Sequence, residues 1–189
     1  GPTSDVGSPY AKGAEDYVKY VNDEKLLGDD KLECFIRDDG YKTEVTKRNF
    51  EDFLDEDIVF YLNYSTGSTM ALRQDFQEEK IPVLPASFHA GNVLENDYIF
   101  LPIASYSSQA VGLAEYVAAN HKGSGKPKVA LFLHPSAFGR APRDDVQKAV
   151  DAGLGIELVE IVEHGQDLDC LAVAQISQPV GEREGRGAR

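Results

Sequence analysis

Two rhythms of apolar and polar residues alternate along this chain. From Pro9 to Asn22 apolar side chains fall at Tyr10, Ala14, Tyr17, Val18 and Val21, the spacing of one helix face. The same period marks Thr43–Leu54 through Val45, Phe50, Phe53 and Leu54, and Ser107–Asn120 through Val111, Ala114, Tyr116 and Val117. Ser65–Thr69 opens a helix expected to run to about Glu79, and Arg143–Ala152 reads as another. Between the helices lie short apolar runs that predict strands: Lys31–Ile36, Ile58–Leu62, Ile81–Leu84, Tyr98–Leu101, Val129–Leu133 and Ile156–Val162. Ile58–Leu62, reading IVFYL, is nearly all apolar, as a parallel strand covered on both faces must be.

Strands alternating with helices of roughly 10–15 residues indicate βαβ units and parallel sheets, so the fold class is α/β. The turn Lys122–Pro127 is too brief for a domain linker. From Gln178 onward periodicity is lost among Gly, Arg and Glu, and residues 178–189 read as a disordered end.

Composition narrows the function. The 189 residues are 42% hydrophobic and 27% charged, as in ordinary globular proteins. No apolar run approaches the roughly 18 residues of a membrane helix. Lys and Arg number 19 against 32 Asp and Glu, a formal charge of −13. Nucleic acid and anionic membrane surfaces are bound through Lys and Arg, so neither is an expected partner. Cys34, in the apolar run LECFI, is expected to be a buried strand thiol; with Cys170 it forms no metal-ligand spacing, and the two read as unpaired.

Catalytic patterns are missing. The four histidines (89, 121, 134, 164) lack ligand spacing, and no HExxH, GxSxG or phosphate-binding loop occurs, so no cofactor, metal or catalytic residue is expected. Asp38-Asp39-Gly40 reads as a turn whose carboxylates accept backbone N–H groups. More informative are the strand ends, where open α/β sheets take their ligands. Asn63-Tyr64-Ser65-Thr66-Gly67-Ser68-Thr69 follows the IVFYL run and opens a helix, offering hydroxyls and unpaired N–H groups that suit a carboxylate. A plain helix N-cap is the alternative there. Pro85-Ala86-Ser87-Phe88-His89 ends the next strand with further polar groups. Two such segments from neighbouring strands suit one zwitterion.

The blocks GPTSDVGSPYAKGAEDYVKYVN, RDDGYK, NYSTGSTMAL, IPVLPASFHA, YIFLPIASYSSQ and LHPSAFGRAP, in this order, resemble the branched-chain amino-acid-type solute-binding proteins of ABC transporters over about residues 1–165. The resemblance implies a type I periplasmic-binding-protein fold. Its two Rossmann-like lobes, with parallel sheets, close on an amino acid or related small carboxylate and present it to a membrane permease. It further implies a periplasmic or extracellular protein, with no signal segment within this chain, and no enzyme activity. A ligand-sensing regulatory or receptor domain of the same fold is the alternative. By position, Thr66 would bind the ligand carboxylate, and Ser87 and His89 its amino and carboxylate groups. Tyr10 and Tyr64 would line the side-chain pocket from the first lobe, with Tyr106 at the crossover and Phe138 covering the ligand from the second. His89 stands where the best-known branched-chain binders carry threonine. The lobes are expected at 1–104 and 105–177. Relatives carry an apolar strand ahead of the position of Gly1 and a long further stretch after that of Asp169. The expectation is therefore a first lobe short of one strand and an incomplete second lobe with two strands. Such a chain should bind weakly and self-associate.

Overall fold

The structure is a computed structural model that describes residues 3–163 and 172–176. The chain folds as two compact units, Gly1–Ser87 with Gly91–Pro102, and Phe88–Ala90 with Ile103–Arg189.

In the first unit the apolar stripe of the N-terminal segment forms α1 (Ser4–Asp23), and α2 spans Thr43–Leu54. Both Asp38 and Asp39 accept backbone N–H groups at 2.8 Å, from Gly40 and Tyr41, so the turn ahead of α2 is held as expected. Strand β1 (Tyr61–Asn63) is followed by α3 (Thr66–Ala71) and α4 (Arg73–Glu79), then by β2 (Val83–Pro85). The two strands pair in parallel, Tyr61 opposite Val83 and Asn63 opposite Pro85. Ile99 adds a single parallel bridge to Val83 in place of the expected strand Tyr98–Leu101. The core comprises Phe50, Leu72, Phe76, Val83 and Ile99, with Phe50 edge-on to Phe76 at 5.0 Å. Tyr61 packs against both rings, and burial raises its pKa.

The expected strand Lys31–Ile36 is not formed: residues 31–39 carry no regular element, and Cys34 is exposed rather than buried. Likewise the IVFYL run becomes a strand only from Tyr61. The physical reason is the ladder. No strand among the described residues pairs with 31–36 or with the edge of β1 opposite β2, and unpaired peptide groups stay with solvent.

The second unit follows the sequence pattern more closely. It holds α5 (Tyr106–Asn120), β3 (Lys128–Leu133), the short α6 (Ala137–Arg140), α7 (Arg143–Asp151), β4 (Glu157–Glu163) and β5 (Ala172–Ile176). Strand β3 is central, parallel to β4 and antiparallel to β5. This third, antiparallel strand corrects the expectation of two parallel ones. The periodicity of DLDCLAVA points to no strand direction, which only pairing with β3 defines. Ala110, Leu131, Leu133 and Val146 form one buried cluster, and Ala114, Val129 and Ile156 another. Cys170 and the tail from Gln178 lie outside the described residues.

Candidate functional site

The first unit brings two of the predicted residues to one edge of its sheet. Strands β1 and β2 are in register and parallel, so the segments leaving their C-terminal ends are neighbours, and the Ala86 N–H donates to the Asn63 carbonyl at 2.7 Å. Most polar groups of the NYSTGST segment serve the helix start itself. Ser65 is the N-cap and accepts the Ser68 N–H at 3.1 Å. The Asn63 amide donates to Thr69 Oγ1 at 2.8 Å and Ser68 Oγ at 3.2 Å, and Thr69 donates on to the Ser65 carbonyl.

Thr66 stands apart from this network. It is buried, at 2% exposure, yet its hydroxyl makes no hydrogen bond among the described residues. As the first residue of α3, with Gly67 second, it carries N–H groups that have no intrahelical acceptor. The plain N-cap alternative thus holds for Ser65, while Thr66 takes no part in the cap.

Ser87 is fully buried, two residues past β2. Its carbonyl and hydroxyl each accept from the Asn92 amide, at 2.9 and 3.1 Å. Asn92 sits in a 3-10 turn, Ala90–Val93, that no sequence motif singles out, and its Oδ1 is buried without a partner. Arg73 steadies the same turn by donating to the Gly91 carbonyl at 2.7 Å. On the other side of β1, Tyr64 has its ring 5.9 Å from Tyr10 and 6.0 Å edge-on from Tyr41. Tyr10, Tyr64 and Tyr41 of the RDDGYK turn thus lie together as three neighbouring rings. Tyr41 carries an aromatic signal in the sequence but no role.

The remaining predicted residues belong to the second unit. Tyr106 opens α5 and packs between Phe88 at 5.5 Å and Phe138 at 5.0 Å, edge-on to the latter. The Tyr106 N–H donates to the Phe88 carbonyl at 2.9 Å. Phe138 lies on α6, where Gly139 follows from necessity: a Cβ there would stand 2.3 Å from the His134 carbonyl oxygen. The half-buried His89 has its pKa lowered by burial, partly offset by the Asp145 carboxylate. Asp145 is in turn held below the usual carboxylate range, first by a hydrogen bond from Ser107 and then by Lys148. No group of acidic, His or Cys side chains among the described residues is arranged to hold a metal.

The sequence pattern of the periplasmic binding protein family matches residues 1–174, and the chain belongs to that family. No curated protein matches it. Among solved structures it is similar to a branched chain amino acid ABC transporter protein from Thermus thermophilus with bound valine. That likeness has 44% identity and a TM-score of 0.80, over 87% of this chain and 43% of the other. An ABC transporter substrate binding protein from Aeropyrum pernix shares 28% identity at TM-score 0.74, over 86% and 43%. A third, from Desulfitobacterium hafniense in complex with Leu, shares the fold at 18% identity and TM-score 0.69, over 88% and 49%. The chain thus spans less than half the length of each. Its fold is the type I periplasmic-binding-protein fold, with short, partial sheets.

Proposed function

We propose that this chain carries amino-acid-recognising elements of a solute-binding protein serving an ABC importer, a binder without turnover that works outside the cytoplasmic membrane. The observation that carries the reading is Thr66, buried at the sheet edge with its hydroxyl and N–H unclaimed. Unpaired donors at a helix start favour a carboxylate over any neutral group. The Ser87 carbonyl, held by Asn92, then serves the ligand ammonium, and Tyr10 and Tyr64 its side chain. The similarity to a protein with bound valine supports a small aliphatic amino acid. His89, Tyr106 and Phe138 enter the proposal through their positions in the family pattern. Burial favours the neutral imidazole of His89, which presents one donor and one acceptor where a hydroxyl stands in the branched-chain binders.

An NMR titration of the chain with L-valine, L-leucine and a panel of other L-amino acids tests this at millimolar concentrations. The amides of Thr66 and Gly67 are expected to shift with at least one of them. Thr66→Ala removes a hydrogen bond to a charged group, about 1.5–3 kcal/mol, and should weaken that ligand roughly tenfold to a hundredfold. Unmoved Thr66 and Gly67 amides across the panel would overturn the assignment.

A further inference from the structure

Asn92 Oδ1 is sealed from solvent without a hydrogen-bond partner among the described residues. The whole Asn92 side chain is enclosed, and so is Ser87, whose carbonyl and hydroxyl its amide reaches at 2.9 and 3.1 Å. An acceptor left unpaired in the interior is costly, and an apolar side chain of the same size would avoid it. What the asparagine contributes is its pair of N–H donors, both directed at one residue.

Ser87 dictates the orientation of that amide. A carbonyl only accepts, so the group facing it must be Nδ2; the flipped amide would set Oδ1 against the Ser87 oxygen. The consequence falls on the hydroxyl. Ser87 Oγ also accepts from Nδ2, so its own proton must leave in another direction, and no acceptor among the described residues takes it. The hydroxyl is thus a committed donor, buried just past the C-terminal end of β2.

The turn that carries Asn92 is itself anchored. Arg73 donates to the Gly91 carbonyl and Asn96 Nδ2 to the Arg73 carbonyl, each at 2.7 Å, while Asn96 Oδ1 accepts the Tyr98 N–H at 2.9 Å. This relay holds Asn92 in place although its oxygen goes without a partner.

We propose that Asn92 is a positioning residue for ligand recognition. By occupying the Ser87 oxygen it fixes the Ser87 hydroxyl as a second donor to the ligand carboxylate, on the strand end next to that of Thr66. The Ser87 carbonyl keeps one lone pair for the ammonium. A serine held by nothing rotates its proton freely and offers an acceptor as readily as a donor. Asn92 removes that ambiguity before a ligand arrives, which lowers the ordering cost of binding. The role rests on the amino-acid reading of the Thr66 edge.

A double-mutant cycle on L-valine binding tests it, read by NMR from the Thr66 and Gly67 amides of the 189-residue chain. Asn92→Leu keeps the bulk and removes the donors, and should weaken valine about fivefold, the loss of one ordinary hydrogen bond. In the Ser87→Ala background no hydroxyl remains to be turned, and the same change should weaken valine by less than about twofold. A purely structural asparagine would give equal losses in both backgrounds. That result would overturn the proposal, as would an affinity unchanged by Asn92→Leu alone. A further measurement needs no variant to fold: the Asn92 side-chain N–H resonances of the unsubstituted chain should move with the same valine dependence as the Thr66 amide. Resonances that stay put while Thr66 moves would overturn the positioning role and leave the carboxylate site standing. Thr66 and Gly67 amides unmoved by valine in the unsubstituted chain would instead remove the aliphatic amino-acid reading, and this role with it.

Discussion

Two runs of nearly the same composition meet different fates in this molecule. Ile58–Leu62 reads IVFYL and Val129–Leu133 reads VALFL. The second lies within a six-residue strand with a partner on each side, its Val129 and Leu131 sealed from solvent. The first contributes two residues to a three-residue strand with one partner, and its Val59 stays 69% exposed. Ordering a residue's backbone costs about 1–2 kcal/mol, which neighbouring ladders and packing must return. An apolar run nominates a strand; partners on both edges make it one.

The largest expected effect breaks this pair apart by a matched truncation. Leu131→Ala opens a cavity in a packed centre and should cost about 2–5 kcal/mol. Val59→Ala, at a site already open, should stay within about 0.5 kcal/mol. Urea unfolding followed by circular dichroism measures both. A Val59→Ala loss comparable to that of Leu131→Ala would mean that the IVFYL run is buried in solution.

A smaller effect sharpens the comparison at the helix starts. Ser65 and Ser105 both cap a helix by accepting the N–H three residues on, at 3.1 and 3.2 Å. Each also bonds the hydroxyl of that same residue, Ser65 to Ser68 Oγ at 2.7 Å and Ser105 to Ser108 Oγ at 3.0 Å, but the Ser65 pair is buried while the Ser105 pair faces solvent. Ser105→Ala should therefore cost about 0.5–1 kcal/mol. Ser65→Ala should cost about 1–2 kcal/mol, because Ser68 loses a partner that water replaces poorly. Equal costs in the same urea assay would show that water reaches the Ser65 network.

What is legible in the sequence follows the same physics. Helix α2 falls on the predicted Thr43–Leu54, and α5 and α7 within a residue of their predictions, because a helix completes its hydrogen bonds from local residues. Strands β3 and β4 are legible too. The Lys31–Ile36 strand is misread because pattern alone does not reveal whether a partner is present. In the site, the NYSTGST segment announces a helix start. Only geometry separates Ser65, which is consumed by the cap, from Thr66, which is not. Asn92, which holds Ser87, is invisible: an Asn in a GNV turn looks like any loop residue until the main chain brings it back over the strand end.

The smallest expected effect is one of pH, and it separates the units by charge rather than by packing. The first unit has no histidine, whereas His89 lies in the second with its pKa lowered by burial. Unfolded, His89 would titrate near about 6.5. Between that value and its lower folded one, the unfolded chain binds more protons, so stability rises with pH. The contribution of neutral His89 is thus present above the unfolded value and lost as pH falls through the folded one. Asp145 has the same sign at lower pH: its carboxylate, held down by Ser107 and Lys148, adds stability above the usual Asp range that is lost on acidification. Unit-resolved hydrogen exchange from pH 7.5 to 3, corrected for the intrinsic rate, should show the protection of β3 falling, and between pH 7.5 and 5 that of Phe50 and Phe76 in the first unit holding level. His89→Asn should flatten the fall in β3 above pH 5 and leave the Asp145 limb below it. A parallel loss in both units, or a fall unchanged by His89→Asn, would place the titrating group elsewhere.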